Sequence, residues 1–136
     1  MIRTQSKIRV RYAETDKMGL VHHQNYVAYF ELARVEMLDV LGVPYRKLEE
    51  TGYFLPVIEV NIRYLLPNTF DDELTVHCIM EEAPKVKIKL RYEVYRDGLL
   101  TTTGSSLHGF IDKEGKPTRP PKSMVEAVRN YTESAS

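Results

Sequence analysis

Hydrophobic residues recur at three- and four-residue spacing between residues 25 and 41, which is the spacing of one face of a helix. The apolar positions of this segment are Tyr26, Tyr29, Phe30, Ala33, Met37 and Leu41. Asn25 stands where an N-cap is expected, and Gly42 followed by Pro44 marks the end of the helix. Because its first turns are so apolar, we expect this helix to be enclosed by other elements.

Other parts of the chain alternate apolar and polar residues, which is typical of half-buried strands. The pattern predicts a short strand before the helix and four strands after it: residues 7–12, 58–64, 74–80, 86–94 and 99–111. Asp97 and Gly98 predict a tight hairpin turn between the last two strands. Gly104 and Gly109 indicate bends or close backbone approach inside the last strand. A short C-terminal helix is predicted over residues 121–131.

The order of elements predicts an α+β fold in which a five-stranded curved antiparallel sheet wraps one long apolar helix. The length of 136 residues fits a single domain over residues 1–136. A sheet of this kind leaves edges or a face to be covered. We therefore expect a homodimer or a larger homo-oligomer.

Charge and cysteine content narrow the classes of function. Nineteen basic residues balance 19 acidic ones, so no overall field attracts nucleic acid or an anionic membrane. The single cysteine, Cys78, lies in an apolar run and is expected to be buried. No apolar run approaches the roughly 20 residues needed to cross a bilayer, and the N-terminus lacks the apolar core of a signal peptide. We expect a cytoplasmic protein without membrane insertion.

The segment AETDKMGLVHHQNY, residues 13–26, is crowded with polar chemistry. Asp16 lies in a loop that leads to a helix N-terminus, where unpaired N–H groups stabilise negative charge. Gly19 permits a tight turn between them. A carboxylate beside oriented N–H donors suits attack on a carbonyl compound. The same pattern also fits a structural role, with Asp16 capping a turn and His22 and His23 as hydrogen-bonded loop residues.

Other chemistries have weaker support in the residue pattern. Asp16, His22 and His23, with His77 or His108, offer metal-ligand types but no zinc-site spacing. Residues 104–109, GSSLHG, do not form the G-x-S-x-G elbow of a serine hydrolase. No Gly-rich phosphate loop is present. The residue pattern therefore favours neither a metal site, nor a serine hydrolase, nor a phosphate-binding loop.

A family resemblance is carried by five short segments: YAETD at residues 12–16, MG at 18–19, VHHQNY at 21–26, YFE at 29–31 and AR at 33–34. Together they resemble the motif of the 4-hydroxybenzoyl-CoA thioesterase-like proteins, which are hot-dog-fold acyl-CoA thioesterases. They are most similar to the bacterial branch associated with the Tol–Pal envelope system. The resemblance implies hydrolysis of acyl-CoA by homodimers or homotetramers, with active sites at the subunit interface and no metal or redox cofactor.

Residue roles follow from the same resemblance. Asp16 matches the catalytic aspartate, acting either as a nucleophile or as a general base toward water. The His23 N–H matches the helix-start donor that polarises the thioester carbonyl. The side chains of Tyr12 and His23 match a tyrosine and a histidine associated with the active site of this branch, and we expect them to orient Asp16 or the water. Tyr12 is equally compatible with a structural place in the core, and Glu31 is an alternative helix carboxylate.

Substrate contacts are predicted in two groups. Tyr26, Tyr29 and Phe30 are expected to line the acyl pocket. The phosphates of coenzyme A require a local basic patch, offered by Lys87, Lys89 and Arg91 with neighbouring Lys85, or by Arg119 with Lys122. The strand lysines are also typical of a solvated face.

Three functions compete. The first is hydrolysis of acyl thioesters carried by coenzyme A or an acyl carrier protein. The second is a hot-dog module that binds acyl-CoA without catalysis, which would not need Asp16. The third is dehydration of 3-hydroxyacyl thioesters, with His23 and Glu31 as acid and base.

Overall fold

The computed structural model describes residues 1–134. Strands and helices follow in the order β1 (Ile2–Arg9), α1 (Gln24–Leu41), α2 (Tyr45–Glu50), β2 (Val57–Tyr64), β3 (Glu73–Met80), β4 (Ile88–Arg96), β5 (Leu99–His108) and α3 (Lys122–Ser134). A single 3₁₀ turn, Tyr12–Glu14, lies between β1 and α1.

The five strands form one antiparallel sheet in the order β1-β3-β4-β5-β2. Helix α1 packs against the concave side, where the buried rings of Phe30 and Tyr92 stack with centroids 4.3 Å apart. This arrangement confirms the predicted fold, a curved antiparallel sheet around one long helix. It also leaves β1 and β2 as the two edges of the sheet.

Gly104 is what allows α1 to approach β5 so closely. A Cβ atom built on Gly104 would lie 2.4 Å from the Phe30 ring and 2.8 Å from the carbonyl oxygen of Asn61. The prediction of close backbone approach is therefore confirmed at this position. The Asp97–Gly98 turn is confirmed too, since both residues adopt positive φ angles between β4 and β5.

The ends of α1 show one correct expectation and one error. Gly42 terminates the helix in the left-handed conformation, with φ at 82°. Asn25 is not the N-cap, because the helix begins at Gln24 and His23 is the capping residue. The Asn25 amide instead donates to the Glu14 carbonyl oxygen at 2.8 Å, which ties the helix to the preceding loop.

The first strand lies earlier in the chain than residues 7–12. It pairs with β3 from Ile2, opposite Met80, to Arg9, opposite Glu73. This long-range ladder recruits polar residues whose local pattern is weak. Tyr12 falls beyond the strand and is 76% exposed, so the prediction of a strand through Tyr12 is wrong.

Smaller corrections concern other ends. β4 begins at Ile88 rather than Val86, which is 66% exposed, and β5 ends at His108 rather than Ile111. α2 was not predicted, since its six residues are too few to establish a period. The C-terminal helix runs through Ser134, three residues beyond the predicted end.

Cys78 is fully buried, as predicted, and burial raises the pKa of its thiol to about 12. Across residues 1–134, no helix has the length and apolar character that crossing a membrane requires.

Candidate active site

The segment after the 3₁₀ turn folds into a small hairpin that returns to the start of α1. Thr15 and Val21 form an isolated antiparallel bridge, and the Asp16 N–H donates to the Leu20 carbonyl oxygen at 2.8 Å. Gly19 closes the turn with φ at 79°, and its N–H donates to the Asp16 carbonyl oxygen at 3.0 Å. The hairpin thereby holds Asp16 in a defined position relative to the helix start.

The Asp16 carboxylate uses one oxygen to organise this loop. Its Oδ1 accepts hydrogen bonds from the Met18 N–H at 2.8 Å and the Leu20 N–H at 3.1 Å. Within residues 1–134, no protein group donates a hydrogen bond to Oδ2. The side chain is exposed. Asp16 is therefore both a turn residue and a carboxylate with one oxygen available to a ligand.

Helix α1 offers free donors beside this carboxylate. His23 has φ −56° and ψ −30°, so its backbone continues directly into the helix. Among the residues that the structure describes, no acceptor bonds the N–H groups of His23 and Gln24, as expected for a first helical turn. The His23 ring stacks on His22 with centroids 4.4 Å apart.

Asp16 and His23 line the same pocket, which has a volume of about 480 Å³. Its walls are mainly apolar and aromatic: Leu20, Val21, Tyr26, Tyr64, Leu65, Leu66 and Pro67, with Asn68 also in the lining. The rings of Tyr26 and Tyr64 meet edge to face at 5.3 Å. The pocket therefore combines a mainly apolar surface with Asp16 and with His23, the residue from which α1 begins.

Asn68 connects the pocket wall to neighbouring strands and to helix α1 through its side-chain amide. It is fully buried, and its amide donates to the Tyr26 hydroxyl at 3.1 Å and to Thr101 Oγ at 3.0 Å. Its amide oxygen accepts from Arg96 at 2.9 Å. Because all of these groups are satisfied, the wall should be rigid.

Three of the four tyrosine and phenylalanine residues predicted for the site lie outside the pocket lining. Tyr29 is buried and donates its hydroxyl hydrogen to Glu14 Oε1 at 2.8 Å. Phe30 is buried against Tyr92. The exposed Tyr12 ring meets Phe70 edge to face at 5.5 Å. In this chain, the structure brings together Asp16, His23 and Tyr26.

Glu14 is a neighbouring carboxylate in a very different setting. It is only 9% exposed. Burial acts to raise its pKa, but hydrogen bonds from the Arg11 N–H, the Tyr29 hydroxyl and the Arg11 side chain outweigh burial and hold the pKa below its usual value. Glu14 is therefore an ionised, fully engaged group in the wall of the loop.

The basic residues lie elsewhere. Lys87, Lys89 and Arg91 line a second pocket of about 310 Å³ with Lys85, Glu81 and Glu82. The Arg91 guanidinium pairs with Glu81 at 2.5 Å and with Glu93 at 3.6 Å, so its charge is partly compensated. Arg119 is exposed in the segment before α3.

A serine–histidine pair does form, but inside the core. Ser106 Oγ lies 2.7 Å from His108 Nε2 and 2.6 Å from the Tyr92 hydroxyl. Ser106 and His108 are 3% and 0% exposed, and burial, assisted by the charge of Arg34, lowers the pKa of His108 to about 4. The pair has no access for a substrate and stabilises the interior.

The two alternatives, Glu31 as the reacting carboxylate and a metal site, lack a comparable arrangement within residues 1–134. Glu31 lies outside the Asp16 pocket, exposed and 4.0 Å from Arg34. Within residues 1–134, no three His, Cys, Asp or Glu side chains cluster as metal ligands.

Sequence reasoning missed the far wall of the pocket. Tyr64 is the last residue of β2, and Leu65, Leu66 and Asn68 follow it. This segment lies about 40 residues after α1 begins. Their approach depends on contacts such as the hydrogen bond from the Val21 N–H to the Asn68 carbonyl oxygen at 2.8 Å. No local pattern marks that long-range contact.

Comparison with known families bears directly on this site. The thioesterase-like superfamily matches residues 10–128, a range that contains the loop, α1 and the whole pocket. The chain belongs to this superfamily.

Individual members of the superfamily are similar over most of their length. The acyl-CoA thioester hydrolase YbgC of Escherichia coli O6:H1 is 35% identical over 120 residues, covering 87% of this chain and 90% of the relative. The acyl-CoA thioesterase YbgC of Haemophilus influenzae is 30% identical over 125 residues, covering 90% and 92%. The DHNA-CoA thioesterase structure from Staphylococcus aureus superposes with a TM-score of 0.90 at 31% identity, covering 99% of this chain and 92% of that one. The fold of this thioesterase-like protein is thus the hot-dog fold.

Proposed function

We propose that this protein hydrolyses acyl-CoA thioesters to a carboxylic acid and free coenzyme A, with Asp16 as the reacting carboxylate and the His23 N–H as the oxyanion donor. The observation that carries this assignment is the shared pocket of Asp16 and His23. Asp16 presents an oxygen that the loop does not use, and His23 presents a helix-start N–H. The named acyl-CoA hydrolases among its relatives support the reaction class.

Two routes use the same geometry. In the nucleophilic route, an Asp16 oxygen bonds to the thioester carbonyl carbon, the carbonyl electrons move to oxygen, and collapse expels the thiolate of coenzyme A. Water then hydrolyses the mixed anhydride. In the general-base route, Asp16 takes a proton from water as that water attacks the carbonyl, and collapse of the tetrahedral intermediate then expels the thiolate of coenzyme A. In both routes the His23 N–H stabilises the oxyanion.

The side chains of His23 and Tyr12 have weaker support than the backbone N–H. The His23 ring is exposed at the pocket and stacks on His22, which suits a role in orienting water or the carboxylate. Tyr12 is proposed for the same role by resemblance alone, since its ring packs on Phe70 outside the pocket lining. Tyr26 contributes to the acyl-binding wall, and Tyr29 and Phe30 support that wall from the core.

A homodimer through β2 is part of the proposal. β2 is a sheet edge that exposes Val57, Ile58 and Tyr64, each about half exposed. The other edge, β1, carries the charged residues Arg3, Lys7 and Arg9, which discourage pairing. Antiparallel pairing of β2 with β2 of a second copy would therefore bury apolar surface and satisfy the free edge. Ile58→Glu should shift the mass measured by light scattering toward the monomer.

This dimer would also give the basic strand a function. The pocket lies at the carboxyl end of β2. Lys89 on β4 pairs with Leu107 on β5, and Leu107 pairs in turn with Glu59. The basic residues therefore lie level with the amino end of β2. Two-fold pairing places the amino end of one β2 beside the carboxyl end of the other. Lys87, Lys89 and Arg91 of one subunit would then face the pocket of its partner, where they could bind the phosphates of coenzyme A. Arg119 is a further candidate for this contact.

Finer assignments are also proposed, each supported by the sequence pattern or by the family resemblance. They are a single domain over residues 1–136, a cytoplasmic location, further assembly to a homotetramer, an acyl carrier protein as alternative carrier, and membership of the Tol–Pal-associated branch. Binding of purified Tol–Pal components to the immobilised protein tests the last of these.

Thiol release from short, long and aromatic acyl-CoAs tests the reaction, with wild type, Asp16→Asn and Glu31→Gln compared. Asparagine retains an oxygen for the Met18 and Leu20 N–H groups, so the loop should keep its shape. Turnover that collapses in Asp16→Asn and persists in Glu31→Gln supports the proposal. Wild-type binding of acyl-CoA without thiol release would instead indicate a non-catalytic module, and an enoyl thioester product would indicate a dehydratase.

A quenched single turnover separates the two routes. An acyl group covalently attached to Asp16, detected as added protein mass, identifies the nucleophilic route. A full turnover without acylated protein at any time point favours the general base.

A further inference from the structure

The side chain and the backbone of Glu14 both accept hydrogen bonds that connect the Asp16 loop to helix α1. Its carboxylate is bonded by three groups: the Arg11 N–H, the Tyr29 hydroxyl and the Arg11 guanidinium. Oε1 accepts from the Arg11 N–H at 2.9 Å and from the Tyr29 hydroxyl at 2.8 Å, and Oε2 pairs with the Arg11 guanidinium at 3.2 Å. The side chain therefore links the chain before the loop to the second turn of α1.

The backbone of Glu14 makes a second link. Its carbonyl oxygen accepts from the His22 N–H at 2.8 Å and from the Asn25 amide at 2.8 Å. Asp16 follows Glu14 by two residues, and His23 follows His22 by one. Asp16 and His23 therefore each lie within two residues of the hydrogen bond between the Glu14 carbonyl oxygen and the His22 N–H.

We propose that Glu14 is a positioning residue that sets the separation between the Asp16 carboxylate and the His23 N–H, with Tyr29 as its anchor on α1. The inference rests on the proposed function of Asp16 and His23. Its physical basis is that a misplacement of about 1 Å can cost roughly 100-fold in rate. Glu14 does not line the pocket, so it acts through the two groups it connects.

Tyr29 is the sharper place to test this role. Tyr29→Phe removes one hydroxyl and leaves the ring in the core, while Glu14 keeps its hydrogen bonds with Arg11. Glu14→Gln retains an oxygen that can accept from Tyr29 but removes the charge that pairs with Arg11. Glu14→Ala removes both. If Glu14 positions the site, kcat should fall further as more of these hydrogen bonds are removed, with Glu14→Ala lowest and Glu14→Gln partly rescued.

A matched control exists on the same helix. Glu36 accepts a hydrogen bond from the buried Ser6 hydroxyl, so it is also a helix-bound carboxylate engaged by a hydroxyl group. It lies outside the pocket. Glu36→Ala should cost stability in a comparable way without touching the Asp16 loop.

The experiment measures kcat and KM for thiol release well below each variant's Tm. We expect kcat to fall roughly 10- to 100-fold in Tyr29→Phe and Glu14→Ala, with KM changed less than about twofold because the pocket wall is intact. Glu36→Ala should keep wild-type kcat. An unchanged kcat in Glu14→Ala or Tyr29→Phe, or an equal loss in Glu36→Ala, would overturn the inference.

Hydrogen exchange gives a readout that does not depend on turnover. The amides of Met18 and Leu20 donate to Asp16, so they report the position of its carboxylate. Their exchange should accelerate in Tyr29→Phe and not in Glu36→Ala; equal exchange in both would refute the positioning role. Asp16→Asn in the same series separates the two claims. Full activity of Asp16→Asn defeats the proposed function and this inference together, whereas its inactivity beside fully active Glu14 variants defeats only the inference.

Discussion

Two polar clusters in this fold each contain histidine close to an oxygen-bearing side chain, but they differ in how their hydrogen-bonding groups are used. In the loop cluster, Asp16 and His23 are exposed, and one carboxylate oxygen and the His23 N–H are free of protein partners within residues 1–134. In the core cluster, the Ser106 hydroxyl bonds both the Tyr92 hydroxyl and the His108 ring.

This difference shows that residue types alone do not decide whether a cluster can react with a substrate. Ser106 and His108 have the distance of a nucleophile and base, yet burial and neighbouring Arg34 keep the imidazole neutral and enclosed. Asp16 has an ordinary turn contact, yet it lines a pocket and keeps one oxygen to which no group in residues 1–134 donates. Groups that are free and accessible can bind a reacting carbonyl, whereas buried groups bonded to one another are closed to a substrate.

The strongest contrast should come from Asp16→Asn. Because the variant loses charge and basicity but keeps an acceptor for the loop, kcat should fall about 100- to 10,000-fold. The free energy of unfolding should change by less than about 1 kcal/mol, as for most exposed substitutions. Thiol-release kinetics and urea denaturation measure both effects. A large loss of stability would mean that Asp16 is mainly a structural turn residue.

The core cluster should contribute to the pH dependence of stability through His108. His108 has a folded pKa of about 4, below the unfolded value near 6.5, so the unfolded chain binds more protons between these limits. The contribution of His108 to the free energy of unfolding is then fully present above about pH 6.5 and is lost as pH falls toward 4. The pKa difference corresponds to about 3 kcal/mol.

His108→Gln isolates this contribution. The variant cannot take up the proton, so its unfolding free energy, measured by urea denaturation from pH 4 to 7, should fall less with acidity than that of wild type. Parallel curves for the two proteins would show that His108 is not the group responsible.

Ser106→Ala should cause a smaller loss within the same cluster. Removing Oγ leaves the Tyr92 hydroxyl with Arg34 at 3.2 Å and leaves His108 Nε2 without its hydroxyl partner. We expect destabilisation of about 1–3 kcal/mol, with kcat retained by the folded protein. Loss of kcat without loss of stability would give this cluster a functional role.

The smallest effect is expected at Tyr12. Tyr12→Phe removes a hydroxyl from a ring that is exposed and packs on Phe70. Because that hydroxyl has no contact with the pocket in one chain, kcat should change less than about twofold, as measured by thiol release. A tenfold loss would instead support the role that the motif resemblance assigns to Tyr12.

Local patterns were sufficient for several parts of the fold. The apolar repeat defined α1 to within one residue of its start, and Gly42 marked its end. The Asp97–Gly98 turn and the alternation in β2, β3 and β5 were also readable, because periodicity and turn conformation depend on neighbouring residues. The first strand was misplaced because its polar residues are held by pairing with β3.

The candidate site divides in the same way. The segment from Tyr12 to Tyr26 identified Asp16 and His23, whose relation depends on a short loop and a helix start. It did not distinguish Tyr26, which reaches the pocket, from Tyr29, which reaches Glu14, although both lie on one helix and are buried. That distinction depends on which partner each ring meets.

The sequence by itself determined that this chain forms an α+β fold with a carboxylate loop ahead of a long apolar helix. The reason is that helix period, turn residues and the loop motif are all encoded within short segments. Only the tertiary structure decided which polar groups remain free. Burial of Ser106 and His108, the clamp at Glu14 and the pocket wall around Asn68 each require segments distant in sequence to meet, and it is their meeting that satisfies one group and leaves another open to substrate.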